Sequence, residues 1–415
     1  MLKSSIMGLV FKLIGAMLAL LSNIMIANYL GMHQSGYYFY LISLLGVSTS
    51  MVIFGGQTYL LKAAPVLFSF ADDVKAARLI VSIVARTVLF SCILVVIFLS
   101  ILLIFDDDLP KIIVQNPSLR YIIFALPFLA INVVLSHTLQ VQGRVIIAFF
   151  TSGLSHSIGF AIIIVLVKPD NSEMLSLIYL LISVIVSIHL VSLTYPCLKV
   201  GKIRGSDISN SINPSAKFFI VQMGLELLVQ SPVLLLGFFG ASPSEISGYA
   251  ISSRVALSLS FVYSIVNRIV MPNFSKYHSK GQWMAMRRDF QNAVLIMSIV
   301  SLPVALLFLL FAGSILELFG KEFSQFSDTF FVLVFLQILN VITGPAGNLL
   351  IMADQQDLFR NIVLIGLAIV LGLSFIFIPK YGAFGAAIAI MFGYGFVNLA
   401  SFIISLRIFS RKIGG

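Results

Sequence analysis

The stretch "YLGMHQSGYYF", from Tyr29 to Phe39, has a counterpart roughly 210 residues later, where "FFGASPSEISGYA" runs from Phe238 to Ala250. In both stretches a glycine ends a long apolar run, a short polar turn leads to Ser-Gly-Tyr, and a second apolar run begins. The same sequence of signals at two points half a chain apart predicts an internal repeat. We therefore expect the chain to consist of two halves of similar architecture.

Composition sets the class of protein. The 415 residues are 59% hydrophobic and only 10% charged, whereas an ordinary globular domain has about 25% charged residues. Such a chain cannot cover a water-facing surface, so we expect an integral membrane protein. The net charge of +10 would suggest a nucleic-acid partner for a soluble protein; here basic loops explain it, and no nucleic acid is expected. The two cysteines, Cys92 and Cys197, provide no framework for disulfides or a metal.

Apolar runs give the number of spans, because a helix needs about 20 apolar residues to cross the hydrocarbon. The predicted fold class is an all-α polytopic membrane protein with about twelve transmembrane helices. The spans are predicted at 6–28, 37–61, 78–104, 119–141, 145–167, 174–197, 216–239, 246–270, 290–317, 328–352, 358–378 and 382–408.

Loop charges give the orientation. The even-numbered connections and the C-terminal tail carry most of the cations, among them Lys62, Lys75, Arg78, Arg144, Lys199, Lys202, Arg204, Lys276, Lys280, Arg287, Arg288, Arg360, Arg407, Arg411 and Lys412. The odd-numbered connections carry few, namely Lys111 beside Asp106–Asp108, Lys168, Lys321 and Lys380. This alternation predicts that both termini are cytoplasmic.

The repeat extends beyond the two opening stretches, since Asn132-Val133-Val134 in span 4 matches Asn340-Val341-Ile342 in span 10. We expect an N-terminal six-helix bundle over 1–199, a polar cytoplasmic linker over 200–215 and a C-terminal six-helix bundle over 216–415. Six spans per half is an even number, so the two bundles should be related by a pseudo-two-fold axis along the membrane normal. This organisation is typical of transporters that work by alternating access around a central cavity.

Several longer segments resemble a known family. They are "ANYLGMHQSGYY" (Ala27–Tyr38), "SEISGYAISSRVALSLSFVYSIVNRIVMPNFSKYHSKGQ" (Ser244–Gln282), "RRDFQNAVLIMSIVSLPVALLFLLFAGSILELFGKEF" (Arg287–Phe323), "GPAGNLLIMADQQDLFRN" (Gly344–Asn361) and "IPKYGAFGAAIA" (Ile378–Ala389). In their order and spacing they resemble the polysaccharide-export family of the multidrug/oligosaccharidyl-lipid/polysaccharide exporter superfamily, and within it the O-antigen repeat-unit flippases. The chain departs from the family pattern at Ala353, where a glycine is usual.

The resemblance implies a function. The expected substrate is an oligosaccharide on undecaprenyl pyrophosphate, moved from the cytoplasmic to the periplasmic leaflet of the bacterial inner membrane. It also implies a cationic central cavity and, for some members, coupling to a proton or sodium gradient. Besides membrane lipids no further partner is implied, and neither a cofactor nor an enzymatic activity is expected.

Cations inside the spans are candidates for contact with such an anionic substrate, because charges there are costly. Arg254 and Arg268 lie within about 40° of one another on a regular span 8, on a face with Ser247 and Ser258, while Val255 and Leu259 face away. Guanidinium groups suit pyrophosphate oxygens. Lys12 lies on a small, polar face of span 1 with Gly8 and Gly15, and Arg86 lies in span 3; for Lys12 and Arg268, reaching to the headgroups is the alternative.

Glu226 is the only carboxylate well inside a predicted span, with Gln222 and Gln230 four residues before and after it. A carboxyl group facing a wet cavity can take up and release a proton, so this stripe is the predicted ion-coupling site; a structural hydrogen bond is the alternative. In span 10, Gly344-Pro345 interrupts a polar side formed by Gln337, Asn340 and Asn348, and predicts a hinge or a kink. The three histidines in spans, His137, His156 and His189, fit packing better than a proton relay.

Other functions remain as alternatives. A multidrug or cation antiporter of the same superfamily would need intramembrane acids, whereas here the intramembrane excess is basic. An O-antigen polymerase or ligase would need a large periplasmic loop, and no outward loop exceeds about fifteen residues by the predicted spans. Lipid II flippases usually have two more spans than are visible here.

Overall fold

The structure is a computed structural model that describes residues 2–69, 73–104, 116, 118–200 and 205–413. Throughout these ranges the regular elements are helices, as the all-α prediction requires. The first elements are α1 (Leu2–Ile53), α2 (Gly56–Ser69), α3 (Asp73–Ile104), α4 (Leu119–Val141), α5 (Val145–Phe149), a π-helical turn (Phe150–Leu154), α6 (Ser155–Val167), α7 (Ser172–Val200) and α8 (Gly205–Phe238). The others are α9 (Pro243–Leu257), a 3₁₀ turn (Ser258–Ser260), α10 (Phe261–Ser279), α11 (Trp283–Leu310), α12 (Ala312–Glu317), a 3₁₀ turn (Lys321–Phe326), α13 (Ser327–Thr343), α14 (Ala346–Met352) and α15 (Gln356–Ile413).

The number of spans agrees with the prediction of twelve. In the described part of the chain, nine helices are long and apolar enough to cross a membrane. Two of these hold two spans each, since α1 and α15 contain non-helical residues at Gly31 and Gly382. Span 5 completes the set: it is divided among α5, the π-helical turn and α6, whose Ser155–Val167 is a shorter apolar helix.

The two glycines of the repeated stretch both have a positive φ. Gly31 has φ of 67° and Gly240 has φ of 76°, a left-handed region that favours glycine. After Gly31 the hydroxyl of Ser35 donates to the Gly31 carbonyl at 2.7 Å, and after Gly240 the hydroxyl of Ser242 accepts from the backbone N–H of Glu245 at 3.2 Å. The shared signal therefore marks the same structural event, the end of one span and the start of the next.

The chain forms two compact units, Met1–Glu226 and Leu227–Gly415. In the first unit α4 is central: it packs against α1, α3 and α7, and 61% of its apolar window is buried, against 17% for α3. In the second unit α13 is central and packs against α9, α11 and α15. These helices are predicted spans 4 and 10, the pair that carries the matching Asn132 and Asn340.

Besides the divided span 5, three differences from the predicted elements bear on the site. Span 2 ends at Ile53, because Phe54 and Gly55 both have positive φ, and α2 follows as a separate helix. Span 8 is broken by the 3₁₀ turn at Ser258–Ser260. The predicted polar linker is helical from Gly205 onward and continuous with span 7, so its serines and asparagines do not end the helix.

Candidate functional site

Arg254 lies just before an irregular turn in the middle of span 8. It is eleven residues after Pro243, or about 16 Å along the axis of α9, which is half of a hydrocarbon layer of about 30 Å. Arg254 lies in the last turn of α9 and is half-buried. A cation is favourable there because helix carbonyls give the C-terminus a partial negative charge. Counted along the span, Arg254 thus lies near the middle of the predicted membrane crossing.

The break after Arg254 is fixed by hydrogen bonds from other helices of its unit. The Ser260 hydroxyl donates to Oε1 of Gln337 at 2.5 Å, and Nδ2 of Asn340 donates to Ser260 Oγ at 3.1 Å. The Ser301 hydroxyl of α11 donates to the Leu259 carbonyl at 3.3 Å. Gln337 and Asn340 are almost fully buried. Buried polar groups need such partners, so the polar side predicted for span 10 is satisfied by the irregular turn of span 8.

The break changes the predicted arrangement of the arginines. A 3₁₀ turn between Arg254 and Arg268 shifts the angular register, so the 40° separation expected on a regular helix does not apply. The side chain of Arg268 lies outside the described residues. Val255 and Leu259, expected on the opposite face, are buried, so this part of span 8 is covered by protein there.

The interruption at Gly344-Pro345 is present, as predicted. Helix α13 ends at Thr343, Gly344 has φ of 63°, and α14 begins at Ala346. A Cβ atom at Gly344 would clash with Cγ2 of Val294, so the break also allows α11 to approach closely. Beyond it, Nδ2 of Asn348 donates to the Tyr263 hydroxyl at 3.4 Å. A hinge function for Gly344 and Pro345 stays a prediction.

Arg86, a predicted substrate contact, is 0% exposed in the first unit. Its Nη2 donates to the Ile53 carbonyl at 3.0 Å, and its Nη1 donates to Ser215 Oγ at 3.1 Å. The guanidinium also lies 5.8 Å from the ring centroid of Phe54, which stacks on Phe219 at 4.4 Å. These contacts connect the end of α1 with the first part of α8. In this arrangement they favour a structural role for Arg86, and its contact with substrate stays a prediction.

The predicted ion-coupling stripe of α8 is half-buried. Gln222, Glu226 and Gln230 follow one another at intervals of four residues on a continuous helix, and each side chain is of intermediate exposure. Oε1 of Gln222 is buried and has no hydrogen-bond partner among the described residues. A buried acceptor in this condition is costly, and it lies one helical turn from the carboxyl group of Glu226.

A second polar network lies in the first unit, at a place that sequence patterns only weakly indicate. Asn132 of α4 donates to the Ser183 carbonyl at 3.2 Å and accepts from the Ser187 hydroxyl at 2.8 Å. Nε2 of His156 lies 3.3 Å from Ser183 Oγ, and its ring is 4.7 Å from that of Tyr179. The histidine is thus a packed, hydrogen-bonded residue, as expected. In the sequence, the spacing of Ser183 and Ser187 indicates polar contacts here, and the serines of "SLS" at Ser258–Ser260 indicate polar contacts in the other unit, but not the irregular turn.

The small face predicted for span 1 packs against another helix. A Cβ atom at Gly15 would lie 3.5 Å from Cα of Leu154, which ends the π-helical turn of span 5. Close approach of this kind is the usual role of small residues between membrane helices. The side chain of Lys12 lies outside the described residues, so its predicted contact with substrate stays a prediction.

Comparison with solved structures identifies the fold. The inward-facing conformation of a multidrug resistance MATE family transporter of the MOP superfamily matches with a TM-score of 0.80 at 12% identity, covering 99% of each chain. The lipid II flippase MurJ in an inward closed conformation matches with a TM-score of 0.78 at 14% identity, covering 97% of this chain and 87% of that one. A MOP superfamily transporter from Pyrococcus furiosus, described by a reversed polarity of its binding pocket, matches with a TM-score of 0.70 at 13% identity, covering 99% and 96%.

Comparison by sequence finds no match: no family model matches the chain, and no curated protein matches it. The likeness is therefore one of fold. The chain is a multi-pass, all-helical membrane protein with the fold of the MOP-superfamily transporters, which carries both multidrug transporters and a lipid flippase.

Proposed function

We propose that this chain is a flippase for lipid-linked oligosaccharide. It moves an O-antigen repeat unit on undecaprenyl pyrophosphate from the cytoplasmic to the periplasmic leaflet by alternating access. The observation that carries the proposal is Arg254 at a helix end about halfway through the membrane. Interrupted helices at this depth commonly supply the substrate and ion sites of transporters.

The excess of basic over acidic residues in the predicted spans supports an anionic substrate. A pyrophosphate diester brought into a low-dielectric site needs fixed cations, and a guanidinium offers paired donors to its oxygens. A transporter of organic cations requires the opposite, an excess of intramembrane acids. The Pyrococcus protein, described by its reversed pocket polarity and a suggested different function, illustrates that polarity varies within this fold.

The remaining alternatives have less support. The multidrug transporter and the lipid II flippase share the fold at similar TM-scores, so the fold does not decide between them. Part of the MurJ chain has no counterpart here, whereas the multidrug transporter is covered almost completely. The intramembrane basic excess favours a phosphate-bearing lipid over an organic cation.

We also propose that Glu226 couples transport to an ion gradient. A neutral carboxyl group is a hydrogen-bond donor, which a carboxylate is not. Oε1 of Gln222, one turn away, is a buried acceptor with no partner in the described part of the chain, and it can accept from a protonated Glu226 or contribute to a small cation. Either arrangement makes Gln222 sensitive to the ionisation of Glu226.

The test of the flippase proposal is removal of the protein from its host, followed by analysis of surface polysaccharide and of undecaprenyl-linked intermediates. We expect loss of the polysaccharide and accumulation of complete repeat units on the cytoplasmic side. Arg254→Ala should fail to restore export while remaining abundant in the membrane, and Arg254→Lys should restore it in part. The matched control is Arg360→Ala, which replaces a half-buried arginine in an ion pair with the exposed Asp357 and should restore export fully.

The deletion strain also distinguishes the flippase proposal from the two alternative functions. Sensitivity to lipophilic cations with intact surface polysaccharide would replace the flippase by a multidrug transporter. Accumulation of lipid II rather than of repeat units would show that the chain is a lipid II flippase.

A further inference from the structure

A cavity lies where α10 turns into α11, away from the break in span 8. Its volume is about 690 Å³, and its lining includes Tyr277, Arg287, Arg288, Asp289 and Asn292. This volume suits a small polar ligand or a lipid headgroup. Neighbouring residues of α10 and α11, Phe274, Met286 and Phe290, belong to a buried hydrophobic core.

The cavity carries charges of both signs. Arg287 and Arg288 are exposed, and neither forms an ion pair with a described residue. Asp289 is half-buried, and its Oδ2 accepts from Nδ2 of Asn273 at 3.1 Å. The Asp289 carboxylate raises the pKa of the Tyr277 phenol. A cavity with two guanidinium groups and one carboxylate matches a ligand that is itself zwitterionic.

The position of the cavity is that of a membrane surface. Trp283, the single tryptophan of the chain, lies at the start of α11, with the Lys412 ammonium 5.8 Å from its ring centroid. Tryptophan favours the headgroup region of a bilayer. Polar α11 residues up to Asn292 give way to the apolar run that crosses the membrane.

An exposed apolar stripe leads out of the cavity along α11. Residues at intervals of three and four share one face of a helix, which places Leu295 and Ile299 in line with Arg288 and Asn292. Leu295 is 57% exposed and Ile299 64% exposed. Ile299 lies about 16 Å beyond Arg288 along the axis, which is the depth of one leaflet. An acyl chain along this stripe would place its phosphate in the cavity.

We propose that this cavity binds a phospholipid whose headgroup carries both a phosphate and a primary ammonium, with an acyl chain along Leu295 and Ile299. Arg287 and Arg288 donate to the phosphate, and Asp289 accepts from the ammonium. The carboxylate disfavours a purely anionic headgroup, and a quaternary choline has no N–H to donate to it. The apolar stripe favours a membrane lipid over a soluble phosphate.

The test uses the purified full-length chain, stripped of lipid in detergent, with lipid retention measured by native mass spectrometry. The probes are phosphatidylethanolamine, phosphatidylglycerol and phosphatidylcholine with identical acyl chains, and inorganic phosphate alone. We expect phosphatidylethanolamine to bind about tenfold more tightly than the other two lipids, the worth of one charge-assisted hydrogen bond. Inorganic phosphate should neither displace it nor raise the melting temperature.

Variants locate the site. Arg287→Gln/Arg288→Gln should weaken binding of phosphatidylethanolamine about tenfold or more, and Arg360→Gln should leave it unchanged. Asp289→Asn should abolish the preference, so that phosphatidylglycerol binds as well as phosphatidylethanolamine. Equal binding of these two lipids by the wild-type chain would overturn the proposal, as would retention that is unchanged in the double variant. Stabilisation by inorganic phosphate to the same extent as by lipid would assign a soluble anion instead.

Discussion

Nη2 of Arg86 lies 3.0 Å from the carbonyl oxygen of Ile53, so a fully buried guanidinium holds the C-terminal end of α1. The last carbonyls of a helix lack intrahelical donors, and positive φ at Phe54 and Gly55 turns the chain away before the next turn can form. Arg86 supplies the missing donor from α3 and uses its other amino group to hold Ser215 of α8.

Replacing Arg86 by alanine should therefore reduce stability. The loss of two charge-assisted hydrogen bonds costs about 1.5–3 kcal/mol each, and the vacated space adds to it. Thermal unfolding in detergent, with yield as a second readout, measures the effect. Ser215→Ala should lower the stability by less, because it removes only one of the two hydrogen bonds. If Arg86→Ala leaves the melting temperature unchanged but abolishes transport, Arg86 is a substrate contact after all.

The hydroxyl of Ser260 should matter more than that of Ser258, two residues earlier. Ser260→Ala removes one buried partner from each of Gln337 and Asn340, which keep only the longer hydrogen bond between them, at 3.4 Å; we expect a cost of about 1–3 kcal/mol. Ser258 bonds to the carbonyl of Val255 within its own helix, so Ser258→Ala is the matched control with a smaller effect. Unfolding curves of the two variants compare them, and equal melting temperatures would show that the network does not support the break.

Gly344→Ala should destabilise the second unit by about 1–3 kcal/mol, because the new methyl group meets Val294 and the backbone is left-handed. Val294→Ala should relieve the steric part of this cost and leave the backbone part. A methyl group added at Gly372 would have no neighbouring atom within 4 Å, so Gly372→Ala should be neutral or stabilising. A neutral Gly344→Ala would contradict the close packing of α11 on the break.

Glu226→Gln should uncouple transport from its gradient. The amide keeps the size and hydrogen bonding of the side chain but removes the ionisable proton. Flipping in proteoliposomes should then proceed equally with and without an imposed gradient, while lipid-linked sugar still binds. Glu226→Asp should retain part of the gradient dependence. Full gradient-driven flipping by Glu226→Gln would reduce Glu226 to a structural residue.

Cysteine labelling checks the orientation. With Cys92 and Cys197 replaced by serine, single cysteines beside Lys168 and Lys321 should react with an impermeant reagent added from the periplasm. A cysteine beside Lys280 should react only after the membrane is opened. The reversed pattern would invert the topology and, with it, the proposed direction of transport.

The sequence predicted the broad fold because the bilayer imposes it: apolar runs of the right length must be helices, and the count of twelve follows. The break at Gly344-Pro345 could also be predicted from the sequence, because these two residues themselves cause it. The break in span 8 was not, because Ser258–Ser260 is compatible with a regular helix. Its irregular turn depends on Gln337, Asn340 and Ser301, which come from helices distant in sequence.

Residue roles were harder to predict for the same reason. The sequence marks Arg86 as an expensive charge but does not say whether a ligand or the protein's own carbonyl accepts its hydrogen bonds. The structure places the Ile53 carbonyl and the Ser215 hydroxyl there. For Arg254 the structure adds its position in the last turn of α9. The sequence could not show this, because the periodicity of span 8 treats it as one continuous helix.

The matching asparagines Asn132 and Asn340 bear on how such a chain evolves. Each lies on the central helix of its unit, yet Asn132 bonds to the unbroken helix α7, whereas Asn340 bonds to the irregular turn of span 8. A duplicated gene begins with two identical copies of every position. Here both positions hold an asparagine, but each amide bonds to a different kind of neighbour, so a matching residue in the two units does not imply matching contacts.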